Sequence, residues 1–235
     1  MTDSVQLVIF DLMGTLVRNV DVVTTAYDAA LGEAGLVAGT PEHDTARSEV
    51  QSLLGRPTLD VLTAVLGDPV RAEEATWAFD DLVIDSLPAI EAVAGATDTL
   101  DELARRGIHT AVTTSFSADV RKAMLGHLGW TERFAAQLSA HGQHRGHPAP
   151  DLLLEAILEL HIDSVGQVAV VGDTIADLEA GNRAGSGLVV GVTSGAHGTE
   201  LLQTAPHTHL IESVADLTTV LDAPRTVGHR RSADR

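Results

Sequence analysis

The sequence has 235 residues, 33 acidic side chains against 15 basic ones, and a formal net charge of -18. That balance argues against a nucleic-acid or anionic-membrane partner, because binding to phosphates is driven by basic residues that release counterions. The absence of cysteine excludes disulfides, zinc thiolates, iron–sulfur clusters and cysteine nucleophiles, while 44% hydrophobic residues suffice for one large domain or a domain with an insert.

Gln6 to Asp11 is a nearly continuous apolar run ending in an acid and followed by Gly14-Thr15, the pattern of a buried parallel strand opening into a tight turn. No basic segment precedes it, and it is too short for a signal peptide or membrane span, so a soluble cytoplasmic protein is expected. From Arg18 to Gly95 the pattern turns helical, with candidate helices over Val20–Ala34, Pro41–Leu54, Pro57–Leu66 and Pro69–Leu87 and no convincing strand. Trp77 and Phe79, two apart, cannot share a helical face, so at least one is expected at the cleft or at a partner surface. The segment from Gly95 to Gly107 reads as a helix capped by Thr97 or Asp98. Strands then alternate with helices: Ile108–Thr113, a weaker Ala136–Ser139, Gln167–Gly172, Gly187–Val192 and a short Thr208–Ile211, with helices over Ala118–Leu128, Asp151–Leu160 and Ile175–Ala184. The expected fold is α/β, a Rossmann-like parallel sheet core with an inserted all-helical domain, in which ligands collect at the carboxyl ends of the strands. The predicted division is core over 1–17 and 95–222, insert over 18–94, and an aperiodic tail over 223–235.

Two acidic strand ends carry the chemistry. Asp11 ends the first strand, and Asp173 with Asp177 follows the strand Gln167–Gly172, so all three can converge on one hard cation, for which Mg²⁺ is the natural candidate. Each Asp could instead cap the helix after its strand, and for Asp177 taken alone that is the simpler reading.

The chain resembles the haloacid dehalogenase superfamily of phosphotransferring hydrolases in FDLMGTL (Phe10 to Leu16), AVTTS (Ala111 to Ser115), HPAPD (His147 to Asp151) and VGDTIADLEAGNRAG (Val171 to Gly185). The helical insert sits where a C1 cap would, and Ser194 to Leu217 is similar to the phosphonatase-like subgroup. The resemblance implies that Asp11 is a nucleophile and that Thr113 binds the transferring group. It also implies that Asp11, Asp173 and the Met13 carbonyl hold Mg²⁺, with Asp177 supporting the metal shell. Gly14, Thr15, Thr114 and the amides of the Met13-Gly14 turn are candidates for binding the phosphoryl oxygens.

Three positions depart from the pattern. Where related phosphatases carry an acid that protonates the leaving group, this chain has Met13, which cannot transfer a proton. Where phosphonatases carry a Schiff-base lysine the chain has Thr58, and its single lysine, Lys122, lies outside the cap, so phosphonoacetaldehyde hydrolysis is rejected. Where a basic residue precedes the Pro-x-Pro turn stands His147, with Arg145 as an alternative for the same role. Arg47 and Arg56 are candidates for recognising an anionic metabolite. His141, His144 and His147 could suggest a metal site, but the intervening glycines make them loop histidines, and His207 with His209 reads as strand-end structure. Three readings follow: a Mg²⁺-dependent hydrolase of a small phosphorylated or phosphonate metabolite, a catalytically impaired ligand-binding protein, and a carbon–halogen hydrolase. A homodimer is compatible with each.

Overall fold

The computed structural model describes residues 4–18, 20–140 and 144–223. Six strands form one parallel sheet in the order β5-β4-β1-β6-β7-β8. They are β1 (Leu7–Asp11), β4 (His109–Thr114), β5 (Ala136–Ser139), β6 (Val168–Gly172), β7 (Leu188–Val192) and β8 (His209–Ile211). The apolar runs form strands because both faces of the sheet are covered. Along β1, Val8 and Phe10 enter one core with α5 (Ala96–Arg105) and α6 (Ala118–His127). Leu7 and Ile9 enter another with α7 (Asp151–Glu159) and α8 (Ile175–Ala184). This two-residue alternation is what a strand sandwiched between helical layers requires. The β1 register sets Asp11 opposite Thr113 and Phe10 opposite Val171, which brings the acidic strand ends to one edge.

Between β1 and α5 lies a helical unit of α1 (Val20–Glu33), α2 (Pro41–Ser52), α3 (Thr58–Leu66) and α4 (Pro69–Asp85). Pro41 and Pro69 open their helices and Asp68 accepts from the Val70 and Arg71 amides, the signals that made these starts legible. Its core continues into that of the sheet through Tyr27, Phe79 and Phe116, with ring centroids 4.7 Å and 5.8 Å apart. Phe79 is fully buried, whereas Trp77 on the same helix is 62% exposed and lines none of the cavity at the strand ends.

Three local features differ from expectation. An antiparallel ribbon of β2 (Val17–Arg18) and β3 (Glu91–Ala92) joins the two ends of the helical unit, where no strand was anticipated. Two residues per strand are too few to leave a periodic signature. Helix α5 starts at Ala96 from Gly95 in the left-handed region, with no side-chain cap from Thr97 or Asp98, because that turn packs against Ala215. Two short helices, α9 (Thr199–Leu202) and α10 (Leu217–Asp222), were also not foreseen. Among the described residues no helix is long and apolar enough to cross a membrane. The basic tail from 224 onward lies outside the described residues.

Candidate functional site

Asp11, Asp173 and Asp177 converge at the carboxyl edge of the sheet, each offering an oxygen within 4.8 Å of the others, and they form the only His/Asp/Glu group among the described residues arranged to hold a metal ion. Each is fixed by its neighbours. Asp11 accepts from the Leu12 amide and shares a hydrogen bond with Asp173. Asp173 accepts at one oxygen from the Thr15 hydroxyl at 3.0 Å and at the other from the Ala196 amide at 2.6 Å. A side chain at Gly14, where φ is +95°, would come within 2.0 Å of the Asp173 carboxylate, and one at Gly195 within 2.2 Å. Both glycines therefore form a cradle closed tightly around that acid.

Asp177 performs the capping role and more. One oxygen accepts from the Thr174 amide at 2.9 Å and hydroxyl at 2.7 Å, completing a capping box on α8. The other is 2.7 Å from Nδ1 of His147, which donates to it when the carboxylate is ionised. With both oxygens occupied, Asp177 is better placed to support a metal's surroundings than to be its principal ligand. The Nε2 of His147 is buried with no hydrogen-bond partner, an open polar valence beside the acidic cluster.

Burial and mutual repulsion raise the Asp11 carboxyl well above the usual carboxylate range and push Asp173 up to about 7. Packed this closely without a cation, Asp11 and Asp173 favour their protonated forms. A divalent cation would replace those protons with charge, and the donor set is the all-oxygen kind that hard cations take.

The expected residues divide into those the fold gathers and those it does not. Met13 lines the cavity above Asp11, together with Val23 and Tyr27 from α1, Leu54 and Gly55 from the turn after α2, and Ser115 and Phe116 after β4. Thr113 is buried beside Asp11, with its hydroxyl 3.4 Å from the Phe10 carbonyl. Thr114 instead accepts from the Phe116 amide, shaping the turn into α6. Arg145 does not reach the cluster: its guanidinium grips both oxygens of Asp151 at the start of α7, and its side chain is 72% exposed. His147 alone among the basic candidates joins the acids. Arg47 pairs with Asp28 at 3.2 Å over an open groove, and Arg56 lines a neighbouring concavity with Glu179 and His197. His144 pairs with Glu155 at 2.9 Å, His141 lies outside the described residues, and His207 and His209 make local contacts.

Three contributors escaped the sequence reading. His197 is buried, and its Nδ1 accepts from the Ile175 amide at 3.0 Å, tying the loop after β7 to the start of α8; burial lowers its pKa. The signal was Gly195 and Gly198 on either side of it. Tyr27 and Gln51 reach the cavity from the helical unit, where helical periodicity alone marks no direction toward a site.

A family model described as a haloacid dehalogenase-like hydrolase matches residues 5–185. The chain is 30% identical over 218 residues to a protein of Dickeya dadantii named "Probable phosphatase IndB", covering 90% of this chain and 91% of that one. Its fold is similar to that of a hydrolase from Pseudomonas syringae, with a TM-score of 0.81, 23% identity, and coverage of 92% and 98%. A phosphonoacetaldehyde hydrolase-like protein from Oleispira antarctica also shares the fold, with a TM-score of 0.78, 20% identity, and coverage of 94% and 92%. The matched residues span both acidic strand ends, and the chain belongs to the haloacid dehalogenase-like hydrolases.

Proposed function

We propose that the chain is a Mg²⁺-dependent hydrolase of a small phosphorylated metabolite, working through an aspartyl phosphate on Asp11. The observation that carries this reading is the acidic cluster at the sheet edge beside a cavity that Asp11 and Asp177 line. The donor set fits a hard cation, which Asp11, Asp173 and the Met13 carbonyl would hold, with Asp177 in support. Bound Mg²⁺ supplies the positive charge that lets an anionic group approach an anionic nucleophile. The chain's own residues do the rest. Leu12 N–H orients the Asp11 carboxylate, Thr15 and Ala196 hold Asp173, and Thr113 lies beside the position of the transferring group. His147, held by Asp177, when doubly protonated can donate from its free Nε2 to a phosphoryl oxygen in the role that a lysine or arginine usually takes.

We read 18–94 as a C1 cap that excludes water from the site, in a cytoplasmic enzyme of the phosphonatase-like subgroup with no nucleic-acid or membrane partner. Phosphonoacetaldehyde itself is an unsuitable substrate. The Thr58 hydroxyl contacts the Ser115 carbonyl, and no lysine lines the cavity among the described residues. No cationic side chain lines the cavity among the described residues, which also disfavours a haloacid, whose carboxylate and departing halide would need one.

The test is rapid mixing with a radiolabelled phosphoryl donor in Mg²⁺, followed by acid quench. Wild-type protein should form an alkali-labile phosphoprotein, and Asp11→Asn should form none. Asp173→Asn should lose Mg²⁺ binding by calorimetry while staying folded. Folded, Mg²⁺-binding wild-type protein that forms no phosphoprotein and turns over no phosphate compound would mean that the impaired, ligand-binding alternative holds.

A further inference from the structure

The cavity above Asp11 has walls of Met13, Val23, Tyr27, Leu54 and Phe116, with uncharged polar groups from Thr24, Gln51, Ser115 and Thr174. Apart from Asp11 and Asp177, no acid lines it among the described residues, and no Lys, Arg or His does. Asp11 is the attacking group, and both oxygens of Asp177 are occupied. Hydroxyls and an amide cannot act as general acids near neutral pH. The Tyr27 phenol is raised further by burial and is bonded to Thr58. His197 faces the neighbouring concavity rather than this one. His147 is held against Asp177 on the phosphoryl side and does not line the cavity, so a leaving group expelled into it receives no proton from its walls.

The space itself is small, about 80 Å³. That is about half of a cavity of roughly 150 Å³ that holds benzene. It also offers nothing to neutralise a second negative charge.

From these features, and resting on the hydrolase reading above, we infer that the substrate is a compact, otherwise uncharged acyl or enol phosphate, whose leaving oxygen departs as a stable anion, rather than an alkyl phosphate ester. In the first step an Asp11 oxygen bonds to phosphorus and the bond from phosphorus to the leaving oxygen breaks. That oxygen keeps the electron pair and leaves as a carboxylate or enolate, with no proton transferred. In the second step water attacks phosphorus, the bond from phosphorus to Asp11 breaks, inorganic phosphate forms, and the proton from water passes to solvent. The walls set the leaving group's size, and the Gln51 amide is a lining group able to hydrogen-bond a carbonyl.

Acetyl phosphate and ethyl phosphate test this, because they differ little in shape and greatly in leaving group. With full-length protein and Mg²⁺, kcat/KM corrected for spontaneous hydrolysis should favour acetyl phosphate by at least about 10²-fold, the scale of a missing general acid. Met13→Asp should raise turnover of ethyl phosphate by roughly 10²- to 10⁴-fold and change that of acetyl phosphate less than about tenfold. Should that variant misfold, the wild-type burst still decides: phosphorylation of Asp11 by acetyl phosphate should run at the same rate in H₂O and D₂O. Phosphoenolpyruvate, an enol phosphate with an added carboxylate, should react at least tenfold more slowly than acetyl phosphate. Comparable use of ethyl and acetyl phosphate, or a slower burst in D₂O, overturns the inference and leaves the hydrolase reading standing; comparable use of phosphoenolpyruvate overturns its uncharged part. Absence of phosphoprotein from every donor overturns both.

Discussion

Asp173 shows how a single residue can tie metal binding to pH. Its carboxyl is pushed up to about 7 because it is buried and faces Asp177. A folded-state value above the unfolded one means that the native protein binds more protons than the unfolded chain between the two. Without metal, that contribution to stability is complete below the unfolded value, near 4, and is lost as pH rises through about 7. A cation competes with those same protons. Mg²⁺ affinity measured by calorimetry should therefore fall steeply as pH drops below neutrality, and the metal-free melting temperature should decline as pH rises from about 4 to about 7. Added Mg²⁺ should reverse that decline. Affinity that stays level over the range would mean that Asp173 is ionised throughout. The acids themselves were legible from the sequence, since each ends or follows an apolar run. The pairing of His147 with Asp177 was not, because the two are 30 positions apart and meet only when β6 and the loop before α7 reach the same edge.

At the scale of elements, the turn joining α2 to α3 locks the helical unit onto the core. Thr58 N–H donates to the Ser115 carbonyl at 3.1 Å, and Pro57 packs on Gly146. Gly55 has φ of +89°, and a side chain there would come within 2.2 Å of the Thr174 hydroxyl. Thr174 in turn caps α8 and holds Asp177. Gly55→Ala should therefore prise this turn off the start of α8 without touching Asp11 or Asp173. We expect turnover to fall about tenfold or more while stability drops by only about 1–3 kcal/mol, the usual cost of local backbone strain. Unchanged turnover with a normal melting temperature would show that this contact does not govern closure. The helices were readable in sequence from Pro41, Pro69, Asp68 and their apolar spacing. The docking of the turn was not, because the glycine signals a bend and says nothing about what the bend rests on.

For the whole molecule, 33 acidic against 15 basic residues leave a net charge of -18, which repels itself and any incoming anion. Raising ionic strength from about 0.01 to 0.15 M shortens the screening length from roughly 30 to 8 Å. Two measurements should move together: the melting temperature should rise by a few degrees, on the order of a 1 kcal/mol gain, and kcat/KM for an anionic substrate should rise with it. An enzyme steered by a positive surface would show the opposite trend in kcat/KM. Two of the candidate positive charges are already claimed by acids: Arg47 is paired with Asp28 and Arg145 with Asp151.

The sequence by itself determined the class of fold and the acids. Periodicity is a local property, so buried strands ending in Asp11 and before Asp173, and a helical block between them, are visible wherever each face of an element is covered. It also determined what the site lacks, because the absence of an acid at Met13 and of a lysine at Thr58 is a matter of identity at a position. Only the tertiary structure decided which basic residue stands among the acids and which walls close the cavity. Arg145, His147, Arg47 and Arg56 are equivalent candidates on paper, with flexible or loop-borne side chains whose partners lie far away in sequence. Asp151 and Asp28 claim two of them, Arg56 faces the adjoining concavity, and His147 is left buried against Asp177.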